Sequence, residues 1–358
     1  MGKLKLKPGV VTGNQLLELF EYCKETRCAL PAVNVIGSSS VNAAIRSARE
    51  ANAPIIIQFS NGGSVFNAGK YLDNSGEKAA IAGGIAGAHH ARMIAEAHGV
   101  PVILHTDHCA KKLLPWVDGL IEAGEAWYKQ TGAPLYSSHM LDLSEESLEE
   151  NIEISKRYLQ RLAKIDMVLE IELGVTGGEE DGVDNTEVDN AKLYTQPEDV
   201  LAAYDALTPV GNITVAASFG NTHGVYKPGN VKLRPDILKH SQAKVHADRK
   251  TAGTKPLNLV FHGGSGSTPE EITEAVSYGV IKFNIDTDTQ WAFTDPIKQY
   301  MDKHDAYLHS QIGNPEGDDK PNKKYIDPRA WMVLGEKGVI ERLKRAFSEL
   351  NATDKFDF

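Results

Sequence analysis

Residues 102–109 read VILHTDHC, an apolar stretch that turns abruptly into two histidines and an aspartate. Val102, Ile103 and Leu104 favour a buried strand, because apolar and β-branched side chains suit a covered, pleated surface. Charged groups at the end of such a strand are costly unless they are paired or coordinated. The stretch is therefore either an idle strand end or one wall of an active site.

Apolar runs of strand length recur along the chain. Eight of them occupy residues 29–35, 54–60, 101–108, 135–141, 167–173, 213–219, 257–262 and 280–285. Helical patterns separate the runs; Leu148, Ile152, Leu159 and Leu162, for example, keep to one helix face. Thr268-Pro269-Glu270-Glu271 carries the cap, first-turn proline and capping-box glutamate of a helix start.

The order of these elements predicts an α/β fold, a (β/α)₈ TIM barrel. The runs are continuously apolar, as in parallel sheets covered on both faces, and eight of them alternate with helices over roughly 250 residues. A doubly wound sheet is the alternative, but no GxGxxG follows the first run. We expect residues 1–358 to form one barrel domain, with residues 287–358 as a C-terminal extension of extra helices.

Two segments of the C-terminal extension have a pattern that predicts their structure. Val339, Leu343, Phe347 and Leu350 share one helix face, which could pack on the barrel or on a partner. Residues 313–329 are polar and rich in Pro and Gly, so we interpret them as a surface loop.

Composition excludes several classes of partner. The formal charge is −10, from 38 basic and 48 acidic residues, so no global basic field attracts nucleic acid or an acidic membrane. Three cysteines, an odd count in a long chain, favour reduced thiols. We find no signal-peptide pattern and no apolar run of membrane-spanning length, and we therefore expect a cytoplasmic protein.

Nearly every apolar run ends in a polar side chain or one that can bind a metal. In a barrel of this type the chemistry lies at the carboxyl ends of the strands, and histidines stand at or just beyond the third, sixth and seventh runs. Three imidazoles with an open fourth position are typical of catalytic zinc. Spacing does not decide between His105 and His108, and we interpret Cys109 as a packed thiol. The run-end residues are Asn34, Ser60, Asp107, His108, Asp142, Glu172, His223, His262, Asn284 and Asp286.

A glycine-serine segment, Gly263 to Ser267, follows the seventh run and precedes the Thr268 helix start. Glycines let backbone N–H groups converge on an anion, and the helix dipole adds to the attraction. Such a segment is often only a flexible connector. Its place after the seventh strand, where barrel enzymes usually bind phosphate, favours the phosphate interpretation.

Several longer motifs resemble those of the class II fructose-1,6-bisphosphate aldolases of the longer subclass. The similarity runs from about Gly9 into the C-terminal region, in the order and spacing of that family. The resemblance implies metal-dependent aldol cleavage of fructose 1,6-bisphosphate to dihydroxyacetone phosphate and glyceraldehyde 3-phosphate, and the reverse condensation, in glycolysis and gluconeogenesis. Tagatose bisphosphate is the alternative substrate. The motifs are HTDHCAKKLLPW, SSHMLDLSEES, EIELGVTGGEEDGVDN, ASFGNTHGVYKPGN, FHGGSGST, NIDTDTQWA and GNPEGDDKPNKKYIDPR.

The resemblance also implies roles for residues. His108, His223 and His262 would hold one catalytic zinc per subunit, which selects His108 over His105. Asp107 would be the acid/base at the C4 oxygen, and Glu180, on a mobile loop, the base at C3. A second, more peripheral divalent ion is implied at Asp142 and Glu172.

The phosphate contacts implied by the resemblance fall into two groups. Ser60 and Arg329 would serve the glyceraldehyde 3-phosphate end, with Arg329 supplied by the partner subunit of a homodimer. A monovalent cation near the other phosphate is also implied. The dihydroxyacetone phosphate end would be bound by Gly263, Gly264, Ser265, Asn284, Ile285, Asp286 and Thr287, with Asn34 and Gly224 nearby.

Three rival functions can be formulated. A Schiff-base aldolase needs a lysine inside the barrel, and Lys282 shares the parity of Asn284; we favour instead a lysine paired in the interior. A metal-dependent barrel hydrolase is disfavoured because the first run ends in Asn34 without an HxH pair. A non-catalytic scaffold would have no reason to keep both a metal cluster and a phosphate loop.

Overall fold

The computed structural model describes residues 2–176, 193–222 and 233–358, together with the backbone of residues 178–180 and 183–185. The strands are β1 Leu4–Lys5, β2 Gly9–Val10, β3 Leu30–Asn34, β4 Ile55–Phe59, β5 Pro101–Thr106, β6 Ser138–Leu141, β7 Val168–Leu173, β8 Gly178–Glu180, β9 Val183–Asn185, β10 Ile213–Ala217, β11 Leu259–Phe261, β12 Val280–Asn284, β13 Ile312–Asn314, β14 Gly317–Pro321 and β15 Phe356–Asp357. The α-helices are α1 Gly13–Thr26, α2 Ser38–Ala51, α3 Asn61–Ala68, α4 Lys78–His98, α5 Leu114–Thr131, α6 Leu148–Leu162, α7 Pro197–Leu207, α8 Asp236–Arg249, α9 Pro269–Ser277, α10 Thr287–Lys303, α11 Lys323–Ile326 and α12 Pro328–Glu349.

Eight parallel strands close into a barrel. Their order is β3, β4, β5, β6, β7, β10, β11 and β12, and β12 pairs back onto β3 at Lys282 and Leu30. Each of the eight apolar runs contains one of these strands. The (β/α)₈ prediction is therefore confirmed, and the doubly wound alternative is wrong because the sheet has closed on itself.

The strands are apolar throughout because both of their faces are covered. β4, β5 and β7 are buried along their whole length, by the barrel interior on one side and by helices on the other. Of the helix face predicted from its spacing, α6 buries Leu159 and Leu162, while Leu148 and Ile152 are half-buried against the core. Helix α9 begins with the expected capping box of Thr268 and Glu271. Within the described ranges, no helix combines the length and apolar character needed to cross a membrane.

A short strand that the sequence pattern did not predict lies against β5. Strand β2 pairs with the first two residues of β5, Pro101 and Val102, whereas β6 pairs further along at His105 and Thr106. Two residues are too few to show a periodicity. The addition completes the edge of β5 at the amino end of the barrel.

The C-terminal extension covers the barrel. Helix α12 buries Val339, Leu343 and Phe347 and packs against α2 and α10, so of the two predicted uses of this face the covering one is observed. Residues 313–329 lie at the surface as expected, but they are not a simple loop. They carry the β13–β14 hairpin and α11, because the buried Asn322 side chain donates hydrogen bonds to the carbonyls of Ser310 and Gly313 at 2.9 and 3.0 Å.

The two ends of the chain meet in space. β1 pairs in parallel with β15, with Leu4 opposite Phe356. The Tyr22 hydroxyl donates to the Lys355 carbonyl at 2.8 Å, and the Asp354 amide donates to the Ala51 carbonyl at 3.0 Å. The last residues are therefore bonded to the first helices.

Candidate active site

Three buried side chains from different strands converge at the carboxyl end of the barrel. We call His108, Glu172 and His262 the rim cluster. Glu172 Oε2 lies 3.3 Å from His108 Nε2 and 3.2 Å from His262 Nδ1, and the two imidazole centroids are 4.6 Å apart. One ligand atom from each residue falls within 4.8 Å of the others.

The chemistry of the rim cluster suits a divalent metal ion. Two imidazole nitrogens and a carboxylate oxygen are ligands that zinc accepts, and buried charges of this kind need a compensating cation. Burial opposes ionisation of Glu172, but the two histidines outweigh it and lower its pKa. Burial likewise opposes protonation of His262, and Glu172 overcomes it and raises the pKa of His262 to about 9.

Asp107 stands beside the rim cluster, fully buried. Its carboxylate accepts hydrogen bonds from the side-chain amides of Asn34 at 3.0 Å and Asn284 at 3.3 Å, and it lies 3.3 Å from His108 Nδ1. Burial raises the pKa of Asp107, but the positive charges of His108 and Lys282 outweigh burial and hold the pKa well below its usual range. Asp107 is therefore an ionised carboxylate at neutral pH.

A second set of buried charges lies deeper in the barrel. We call His105, Glu170 and Lys282 the interior cluster. Glu170 Oε1 accepts from Lys282 Nζ at 2.7 Å and lies 2.9 Å from His262 Nε2, and Glu170 Oε2 lies 3.6 Å from His105 Nε2. Lys282 is thus paired in the barrel interior, as favoured over the Schiff-base interpretation.

The glycine-serine segment packs closely on the end of β12. The Gly264 amide donates to the Asn284 carbonyl at 3.1 Å, and a Cβ at Gly264 would lie 2.4 Å from the Phe283 ring. Gly263 has φ +61°, and a Cβ there would meet the Thr222 carbonyl oxygen at 2.3 Å. Only glycine fits either position.

The same segment also contacts the start of α10. The hydroxyl of Ser265 accepts from the Asp288 amide at 3.3 Å, in the first turn of that helix. Residues 263–265 and 284–288 therefore meet at one helix N-terminus, which is an arrangement suited to an anion. The Ile285 amide donates to the Ala32 carbonyl at 3.0 Å and its side chain is fully buried, whereas Asp286 and Thr287 are partly exposed.

Comparisons with known proteins identify the family of the chain. A family model described as "Fructose-bisphosphate aldolase class-II" matches residues 14–355. The chain belongs to the class-II fructose-bisphosphate aldolase family. It is 60% identical to the fructose-bisphosphate aldolase of Edwardsiella ictaluri over 350 residues, covering 98% of each chain.

Two further relatives of the family are similarly close. The chain is 58% identical to the fructose-bisphosphate aldolase class 2 of Escherichia coli K12 over 351 residues, covering 98% of each chain. A crystal structure of the fructose-bisphosphate aldolase of Campylobacter jejuni superimposes with a TM-score of 0.89 at 56% identity, again over 98% of each chain.

In this member of the aldolase family, the two acidic residues predicted to bind a second ion belong to the ends of the neighbouring strands β6 and β7. Glu172 belongs to the rim cluster, whereas Asp142 follows β6 and accepts from the Ser144 hydroxyl at 2.6 Å and amide at 3.2 Å. Burial and, next, the charge of Glu172 raise the pKa of Asp142. The two carboxylates are therefore close enough to repel each other without sharing a ligand cluster.

The residues predicted for the glyceraldehyde 3-phosphate end differ in exposure: Ser60 is buried and Arg329 is exposed. Ser60 is the N-cap of α3, and its hydroxyl accepts from the Gly63 amide at 3.1 Å. Arg329 begins α12, where its side chain is 90% exposed and paired with Asp327 at 2.7 Å. A single chain thus presents Arg329 on its outer surface.

Three predicted site residues lie outside the described side chains. His223 and Gly224 fall in the undescribed range 223–232, and only the backbone of Glu180, in β8, is described. Cys109, by contrast, is described and fully buried, and burial raises the pKa of its thiol. It is a packed thiol, as expected.

Sequence reasoning missed the residues that support the rim cluster. Glu170 was detectable, because it stands two residues before Glu172 and so shares its side of β7. The Thr176 hydroxyl donates to Glu172 Oε1 at 2.7 Å, and Asn221 donates to Thr176 and to the His262 carbonyl. No sequence signal marks Thr176 or Asn221, since their contacts depend on how neighbouring strand ends meet.

Proposed function

We propose that this chain cleaves fructose 1,6-bisphosphate to dihydroxyacetone phosphate and glyceraldehyde 3-phosphate, and catalyses the reverse condensation, in glycolysis and gluconeogenesis. The observation that carries the proposal is the buried rim cluster with the ionised Asp107 beside it at the carboxyl end of the barrel. The chain is 58–60% identical, over nearly its whole length, to proteins named fructose-bisphosphate aldolase, which supports fructose 1,6-bisphosphate as the substrate.

The metal in this proposal is one zinc ion per subunit. His108 and His262 would hold it, with His223 as the third imidazole that the family resemblance implies, and Glu172 lies within reach of the same position. When bound there, the ion supplies Lewis-acid stabilisation of the negative charge that develops on the C2 carbonyl oxygen.

Asp107 would move the proton at the C4 oxygen. As an ionised carboxylate held by the amides of Asn34 and Asn284, it can accept the C4 hydroxyl proton in cleavage and return it in condensation. Its two amide donors fix the carboxylate in place, so little reorganisation is needed when the proton moves.

Glu180 would move the proton at C3. It follows the β7 end that carries Glu172, and glycines flank the acidic segment around it, which suits a segment that closes over a bound substrate. We expect Glu180→Gln to keep the metal and to lose roughly 10²–10⁴-fold in turnover, measured together with solvent exchange of the C3 proton of dihydroxyacetone phosphate. Glu179→Gln is the matched control, and exchange at the wild-type rate in Glu180→Gln would place the base elsewhere.

The two phosphates would bind at separate places. Residues 263–265 and 284–287, with Asn34 and Gly224, would bind the dihydroxyacetone phosphate end, supported by the glycine packing against β12. Ser60 would bind the other phosphate together with Arg329 of a partner subunit in a homodimer. The exposed position of Arg329 is what such a contribution across an interface requires.

We infer in addition a second divalent ion at Asp142 and Glu172, a monovalent cation near the phosphate segment, and a cytoplasmic location. We also take residues 1–358 as a single barrel domain with a C-terminal extension from residue 287.

One assay tests the proposal as a whole. Coupled turnover of fructose and tagatose 1,6-bisphosphates is measured with and without a chelator, alongside metal content per subunit. We expect preference for the fructose sugar, one zinc per subunit and loss of turnover on chelation. Full activity in the chelated, metal-free protein would overturn it.

A further inference from the structure

Arg342, on the outer helix α12, reaches the first turn of α10. Its guanidinium donates to Asp288 Oδ2 through Nη2 at 2.7 Å and Nε at 3.1 Å, and to Glu349 through Nη1 at 3.2 Å. The Arg342 side chain is only 17% exposed and that of Asp288 25%. This is a partly buried, two-point contact, not a loose surface pair.

Asp288 places a negative charge close to the proposed phosphate site. It stands in the first turn of α10, and its amide donates to Ser265 in the glycine-serine segment. A carboxylate there suits the helix dipole, but it would repel a phosphate bound at the same N-terminus. The repulsion is removed if the carboxylate is turned away and its charge is offset.

We propose that Arg342 is a positioning residue for phosphate binding: it holds the Asp288 carboxylate away from the α10 N-terminus and offsets its charge. The inference rests on the proposed function, because it takes residues 263–265 and 284–287 as the phosphate site. Arg342 itself does not touch the phosphate. It acts through Asp288, so that the carboxylate does not compete with the ligand for the α10 N-terminus.

The decisive experiment compares phosphate affinity in four zinc-loaded proteins. These are the wild type, Arg342→Gln, Asp288→Asn and the double variant, and Kd for inorganic phosphate is measured by calorimetry beside KM and kcat for fructose 1,6-bisphosphate. Arg342→Gln is expected to raise Kd and KM about tenfold with kcat little changed, because the released carboxylate repels the phosphate. Asp288→Asn in the same chain is expected to restore both constants.

The matched control is Arg345→Gln. Arg345 lies on the same helix and bonds the same Glu349 at 3.0 Å, and its charge also acts on Asp288, but its described hydrogen bonds do not reach that carboxylate. Because it does not hold the carboxylate in place, Arg345→Gln should change Kd and KM much less than Arg342→Gln.

Other outcomes distinguish a failure of this inference from a failure of the proposed function. If Arg342 only joined α12 to α10, Arg342→Gln would lower Tm without changing Kd, and the inference would fail while the proposed function stood. A double variant that binds phosphate tenfold more weakly than Asp288→Asn also overturns it, and this comparison does not depend on the single variant folding well. A wild type that neither binds phosphate nor cleaves the sugar overturns the proposed function and this inference with it.

Discussion

The rim cluster and the interior cluster share the same barrel and the same strand, yet they handle buried charge differently. Glu170 and Glu172 stand two residues apart on the same side of β7; Glu170 pairs with Lys282 in the interior cluster, and Glu172 contacts the histidines of the rim cluster. In the interior cluster Lys282 lies 2.7 Å from Glu170 and supplies a cation from the chain itself. In the rim cluster the described partners of Glu172 are histidines and Thr176, and histidines can give up their protons.

The difference indicates where a metal ion belongs. His105, Asp107 and Glu170 also bring ligand atoms within 4.8 Å of one another, so proximity alone would allow two metal sites. The Lys282 ammonium beside Glu170 makes a second cation there unfavourable. The interior cluster instead supports the rim: Glu170 lies 2.9 Å from His262 Nε2 and leaves Nδ1 directed to Glu172.

The largest expected effect comes from the rim cluster. His262→Ala should remove most of the bound metal and lower turnover by roughly 10³-fold, because several kcal/mol of Lewis-acid stabilisation are lost. Metal content by elemental analysis and turnover are the two measurements. His89→Ala, outside both clusters, is the control, and a His262→Ala protein that keeps one zinc per subunit contradicts the assignment.

Lys282→Met tests the interior cluster. Removing the ammonium leaves Glu170 buried without its main countercharge, so the free energy of unfolding should fall by about 3–5 kcal/mol. Denaturant unfolding measures this loss, and Lys282→Met/Glu170→Gln should recover part of it. Borohydride treatment with dihydroxyacetone phosphate should not modify Lys282; covalent trapping there would revive imine chemistry.

Glu170→Gln tests the link between the two clusters. The glutamine amide keeps the shape of the glutamate side chain but forms a weaker hydrogen bond with His262. Metal affinity should therefore fall roughly 10–100-fold, as it does when other carboxylates that orient a ligating histidine are replaced. Competition with a graded chelator gives the affinity. An unchanged affinity would show that the clusters are independent.

The smallest effect concerns His139, a buried histidine that belongs to neither cluster. Burial, and then the nearby His105, lower the pKa of His139 to about 3. The unfolded chain therefore binds a proton at His139 more readily than the folded one. The contribution of His139 to the free energy of unfolding is fully present above pH 6.5 and is lost as the pH falls below that value. Between pH 7 and pH 5.5 this group should cost about 1 kcal/mol of unfolding free energy. His139→Gln should show a shallower fall over the same interval; parallel curves would mean that folding does not lower the pKa of His139.

The barrel and its strand-end residues were predictable because both follow from short periodic patterns. Eight apolar runs fix the strands, and the carboxyl ends of parallel strands must share one face. The choice between His105 and His108 did not follow, since alternation stops where β5 ends at Thr106. His108 then turns to the rim while His105 stays inside. The Lys282–Glu170 pair joins residues 112 positions apart, and no local pattern reveals which strand ends will face one another.

The pairing of Leu4 with Phe356 has a consequence for synthesis on the ribosome. At about 5–20 residues per second, roughly 20–70 seconds separate the emergence of these two partners. During that interval Tyr22 and the end of α2 lack the C-terminal segment that they bond in the finished protein. The nascent first helices therefore stay without these contacts until the C-terminal segment emerges, and a chaperone bound during that interval would protect them.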